Sequence, residues 1–196
     1  MITKKRIAIL ASGGGSNAEA LLKAMQEPGF PATPVLILTN NPQAGVLEKA
    51  TRYGVPSVIL DHKTFASREA YDAAVVTAVQ LMKPDFIALA GYMRILTPVF
   101  LKAFEGRVLN IHPALLPKHG GPGMYGHHVH EAVLKAGDPE SGPTVHWVTE
   151  EVDGGAIILQ ERVPVLPTDT PETLAARVLE AEHRAYPKAL ALVAKP

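Results

Sequence analysis

The chain has 196 residues and a mass of 20.9 kDa, with 19 basic against 19 acidic side chains, 47% apolar residues and no cysteine. That apolar fraction excludes a disordered chain, and a net charge of zero argues against a nucleic-acid binder driven by bulk charge. Disulfides, zinc–thiolate sites and cysteine nucleophiles are excluded together. No run of about 18 apolar residues offers a membrane span, and Met1 to Arg6 lead into a strand-like segment without a signal-peptide core. A cytoplasmic location is expected.

In chain order, residues 6–11 form a short apolar run. Ser12-Gly13-Gly14-Gly15-Ser16-Asn17 follow, and then Ala18, Leu21, Leu22 and Met25 at helical spacing. That pattern predicts strand, glycine loop and helix. It recurs with strands at 35–39 and 57–60, a helix near 46–53, and a longer helix in which Tyr71, Val75, Ala78 and Met82 share a face. Residues 86–90 and 108–111 predict two further buried strands.

Strands apolar on both faces and alternating with helices predict an α/β fold: a Rossmann-like, mostly parallel sheet covered on both sides. Beyond Asn110 come a glycine- and histidine-rich loop, a helix near 129–136, and β-rich runs at 144–148 and 156–165 flanking Asp153-Gly154-Gly155. An Asp-Gly pair between such runs predicts a hairpin, so antiparallel strands are expected in the second half. The last helix is expected to start at Pro171, capped by Thr170, and to run toward Val193. With neither repeat nor linker, one domain over 1–196 is expected, divided near residue 110.

Gly13, Gly15 and Ala18 satisfy G-x-G-x-x-A after a strand and at a helix start. Backbone N–H groups at such a turn, with the positive end of a helix dipole behind them, form an anion site. A dinucleotide would also need an acid at the end of the next strand, where Thr39-Asn40-Asn41-Pro42 stand instead. The glycines equally suit a tight turn without ligand, although Ser16 and Asn17 add donors that such a turn does not require.

Asn110 and His112, two apart on the fifth expected strand, project to one side at the carboxyl edge of the sheet. They offer an amide donor and a group that titrates near neutrality. Asp153 is either a turn former or a carboxylate that orients His112 and relays a proton. His146 is either a half-buried strand histidine or a support for that pair. Leu116-Pro117 can take either isomer. His127, His128 and His130 invite a metal reading, but they fall at a helix start and no metal site is expected.

Together, Ser12 to Asn17, Met93-Arg94-Ile95-Leu96, Asn110 to Pro117, His146, Asp153-Gly154-Gly155 and Glu182-His183 resemble the phosphoribosylglycinamide formyltransferases. These are the folate-dependent glycinamide ribonucleotide transformylases of purine synthesis, and the likeness runs in order over essentially the whole chain. The resemblance implies that Asn110, His112 and Asp153 are catalytic, with His146 in support. It implies that Gly15, Ser16, Asn17 and Glu182 bind the ribonucleotide. Arg68, Met93, Arg94, Ile95, Leu96 and Asn110, with the segment Thr149, Glu150, Glu151, Val152 and Asp153, are implied to hold the folate.

It further implies 10-formyltetrahydrofolate as co-substrate, glycinamide ribonucleotide as acceptor, no metal, no nucleic-acid or membrane partner, and a monomer or homodimer. Residues 1–110 become the phosphate-binding half and 111–196 the folate-binding and catalytic half. Ala114 stands where serine is common, and Pro143 where cysteine is common. The loop from Lys118 to His130 looks like a longer variant. The alternatives are hydrolysis of the formyl-folate, transfer to another amine, a non-catalytic nucleotide-binding module, or an oxidoreductase. Hydrolases of this kind carry an extra N-terminal domain and transfer-RNA enzymes an extra C-terminal one, so a small phosphorylated acceptor is expected here.

Overall fold

The computed structural model describes residues 3–195; Met1, Ile2 and Pro196, which belong to the expected domain, lie outside the described residues. A seven-stranded sheet forms the centre. Its strands are β1 (Lys5–Leu10), β2 (Ala32–Thr39), β3 (Ser57–Ile59), β4 (Phe86–Leu89), β5 (Val108–His112), β7 (Thr144–Trp147) and β8 (Ile157–Gln160), in the order β3-β2-β1-β4-β5-β7-β8. The first five are parallel to one another, while β7 runs antiparallel to both β5 and β8.

Side-chain alternation along β1 explains the layers. Ile7 and Ile9 face a core shared with α1 (Ser16–Met25), α2 (Val46–Arg52) and α6 (Pro171–Ala194), whereas Ala8 and Leu10 face α3 (Arg68–Leu81) and α4 (Pro98–Ala103). Both faces are covered, so β1 carries no polar alternation at its centre. The order reverses between β1 and β4, and the loops leaving these two strands are stitched together. Ser12 N donates to the carbonyl of Gly91 (3.1 Å), and Met93 N donates to Ser12 Oγ (2.8 Å). A crevice at such a reversal is where open α/β sheets bind ligands.

Three details depart from the sequence reading. The short α4 escaped it: six residues are too few for periodicity, and only Thr97 with Pro98 at the first position mark its start. The expected run at 156–165 splits into β8 and β9 (Val163–Pro164). The latter pairs with β6 (Glu140–Ser141) in a separate two-stranded sheet. The histidine-rich helix, α5 (His127–Ala136), begins two residues earlier than expected.

Helix α6 does start at Pro171 under a capping box made by Thr170 and Thr173. Its buried stripe includes Leu174, Val178, Ala181, Ala185, Tyr186 and Ala189, with one carboxylate, Glu182, among them. The Tyr186 hydroxyl donates toward the carbonyls of Leu89 (2.8 Å) and Leu109 (3.2 Å), fixing the helix onto β4 and β5. Among the described residues no helix is long and apolar enough to cross a membrane.

Candidate active site

Two centres occupy the carboxyl edge of the sheet. The first is the turn between β1 and α1. Gly15, immediately before α1, has φ 73°, and a Cβ there would lie 2.6 Å from Val46 Cγ2, so both conformation and space require glycine. Among the described residues no side chain caps α1, so the N–H groups of its first turn keep their donors for another partner. Asn17 Nδ2 donates to Glu182 Oε2 at 2.5 Å, while the buried Asn17 Oδ1 has no partner among the described residues. Burial raises the Glu182 carboxyl above its ordinary value, and the opposing Asn17 hydrogen bond is the weaker influence.

The second centre lies on β5 and β7. Register places Asn110 opposite His146 and His112 opposite Thr144. His146 Nδ1–H donates to the carbonyl of Trp147 (3.0 Å), which leaves Nε2 to accept from Asn110 Nδ2 (3.2 Å). Burial lowers the His146 pKa, in keeping with a neutral ring that accepts at Nε2. The amide of Asn110 is thereby oriented with its second N–H uncommitted.

His112 is bracketed by acceptors. Its Nε2–H donates to the carbonyl of His119 (2.7 Å), and its Nδ1 lies 3.5 Å from Asp153 Oδ2. With Nε2–H committed to the His119 carbonyl, Nδ1 is the ring atom turned toward the Asp153 carboxyl group. Asp153 Oδ1 lies 3.6 Å from His146 Nε2, and Oδ2 also accepts from Gly121 N (3.0 Å). Asp153 reaches this position with φ 56°. Gly155, two residues on, passes so close to β7 that a Cβ would lie 1.7 Å from the Trp147 carbonyl. The Asp-Gly-Gly sequence therefore serves the backbone and the carboxylate together.

The profile of the family described as formyl transferase matches residues 5–190. The chain belongs to the formyl transferase family. The phosphoribosylglycinamide formyltransferase of Escherichia coli is 42% identical over 181 residues, covering 92% of this chain and 83% of that protein. The trifunctional purine biosynthetic protein adenosine-3 of Drosophila melanogaster is 47% identical over 192 residues. This chain spans only 14% of that much longer protein. Among solved structures, the phosphoribosylglycinamide formyltransferase of Brucella melitensis superposes with a TM-score of 0.92 at 50% identity, covering 99% of this chain and 97% of that one.

Within this formyl transferase chain, the remaining residues singled out from sequence fall on the loops around the reversal. Arg68, at the start of α3, donates from Nη2 to the carbonyl of Ile95 (3.0 Å). The Arg94 guanidinium lies 5.6 Å from the centre of the Tyr71 ring. Met93 and Ile95 project into solvent, as does Val152 of the loop between β7 and β8, which are large apolar side chains left uncovered. Leu96 is half-buried against the α3 side of the core. Thr149 Oγ1 bonds the Glu151 carbonyl (3.3 Å), and Glu150 and Glu151 are exposed. Ser16 opens α1 beside Asn17.

Sequence reasoning missed several residues. Thr144 Oγ1 donates to the Ala114 carbonyl (2.7 Å) and accepts from Leu116 N (3.0 Å), while Gln160 Nε2 reaches both Leu116 O and Thr144 Oγ1 at 2.9 Å. These bonds hold the segment after His112, in which Leu116-Pro117 is cis. Asn40 stands where a dinucleotide fold would place its acid, and here it accepts from Ser12 Oγ (2.6 Å). Only the register of β5 on β7 could have pointed to Thr144.

Proposed function

We propose that this chain transfers the formyl group of 10-formyltetrahydrofolate to the primary amine of glycinamide ribonucleotide, the formylation step of purine synthesis. The observation that carries the reading is the meeting of Asn110, His112 and Asp153, remote in sequence, beside a turn with free backbone donors. The names of the E. coli and Brucella relatives support the same acceptor.

In this reading the phosphate of the ribonucleotide binds at Gly15, Ser16 and Asn17, and Glu182 binds its sugar–amide part. The folate lies along Met93, Arg94, Ile95 and Leu96, with Arg68 and the segment 149–153 around it. The amine attacks the formyl carbon and negative charge gathers on the formyl oxygen. The uncommitted N–H of Asn110 donates to it, and the His112 ring supports the charge from beside it. Asp153 orients His112, and water carries the proton from the attacking nitrogen to the departing folate nitrogen. Holding both substrates in one crevice supplies the remaining advantage. No covalent intermediate forms. These small-molecule partners fit a cytoplasmic enzyme of one domain.

Release of the deformylated folate, followed by absorbance with and without glycinamide ribonucleotide, tests the proposal. Release that depends on the ribonucleotide is expected. Release without it would make the chain a hydrolase, and absence of release in both arms would leave a nucleotide-binding module.

A further inference from the structure

The ring of His112 is held from its far side by a segment outside the catalytic trio. Its Nε2–H donates to the main-chain carbonyl of His119, and the His119 side chain is itself tied down, its Nε2–H donating to Asp138 Oδ2 at 2.7 Å. Lys118 Nζ occupies the other carboxylate oxygen at 2.8 Å. His119 has φ 53°, a left-handed conformation that is strained for a non-glycine residue and persists only where neighbours impose it.

Asp138 follows directly on Gly137, which ends α5 in the left-handed conformation. A carboxylate there faces the negative end of the helix dipole, so capping does not explain it. The Lys118 and His119 donors do, and they hold its carboxyl below the usual carboxylate range.

We infer that Asp138 is a positioning residue for His112, acting through His119: the Asp138–His119 hydrogen bond fixes the peptide carbonyl that orients the catalytic imidazole. The inference rests on the proposed reaction for its kinetic readout only, because the state of the His112 ring can be followed in the ligand-free protein.

The test compares His119→Phe, Asp138→Ala, Asp138→Asn and Lys118→Ala. Misplacing a catalytic group by a fraction of an ångström to one ångström costs about tenfold to hundredfold in rate, so losses of that order in kcat are expected for His119→Phe and Asp138→Ala, with KM nearly unchanged. Asp138→Asn keeps an acceptor for His119 and should retain more activity than Asp138→Ala. Lys118→Ala breaks the other contact of Asp138 without touching the path to His112, and should match the parent. In parallel, the ¹⁵N resonance of His112 Nε2 should move in His119→Phe and Asp138→Ala and stay in place in Lys118→Ala.

An unmoved His112 resonance in His119→Phe, a rise in kcat, or a loss in Lys118→Ala equal to that in Asp138→Ala would each overturn the inference. A parent protein without ribonucleotide-dependent turnover would defeat the proposed reaction instead, and the resonance would still decide the role of Asp138.

Discussion

The glycine turn and the histidine cluster both lie at the carboxyl edge of the sheet but are built on opposite principles. At the turn, polar capacity is left open: among the described residues α1 has no side-chain cap and the buried Asn17 Oδ1 has no partner. In the cluster, both ring nitrogens of His112 and of His146 face a polar neighbour before any substrate arrives. An open site suits a ligand that brings its own charge and completes the hydrogen bonds. A closed network suits a group whose protonation and orientation must already be set when charge develops, since reorganisation during the reaction adds to the barrier.

That contrast is most sharply tested in the cluster. His112→Ala and Asp153→Asn should each reduce turnover by about 10²–10³, the order of loss when preorganised support of the developing charge is removed. Melting temperatures should stay close to the parent. A fully active His112→Ala enzyme would remove the cluster from the chemistry.

At the turn the expected damage passes through shape and binding. Gly15→Ala places a Cβ 2.6 Å from Val46 Cγ2 at a positive φ and should cost about 1–3 kcal/mol of stability, read by thermal unfolding. Val46→Ala in the same chain should recover part of the loss by removing the clash. Asn17→Ala should raise the KM for the ribonucleotide by about tenfold, the cost of one hydrogen bond to a charged group, and that for the folate far less. Equal effects on both would misplace the acceptor.

The smallest effect concerns Glu182. Burial raises its carboxyl above 4.5, so the folded chain binds more protons there than the unfolded chain does. This contribution to stability is full below pH 4.5 and is lost as pH rises through the raised value. Glu182→Gln should remove that slope from a plot of melting temperature against pH. A slope that persists unchanged would assign it to another group.

Much of this was legible because the signals are local. Asn110 and His112 share a strand face by being two apart, and the apolar runs of β1, β2 and β4 carry their buried state in their composition. The split of β8 from β9 was hidden. Gly142 passes so close to Glu161 that a Cβ would lie 1.9 Å from its carbonyl, a crossing that bends the chain out of the large sheet and leaves no mark in hydropathy. His119, Asp138, Thr144 and Gln160 were invisible for a related reason. Their partners are brought near by sheet register and by the end of α5, and each residue type alone is commonplace on a surface or in a strand.

Tyr186 stands four residues after Glu182, one turn along the same face of α6, and its hydroxyl is bonded to the backbone of β4 and β5. The sheet therefore acts as a ruler for the helix: it fixes how far α6 slides and turns, and with that the depth at which the carboxylate meets Asn17. Loops at this edge of the sheet can lengthen or shorten without recalibrating that depth.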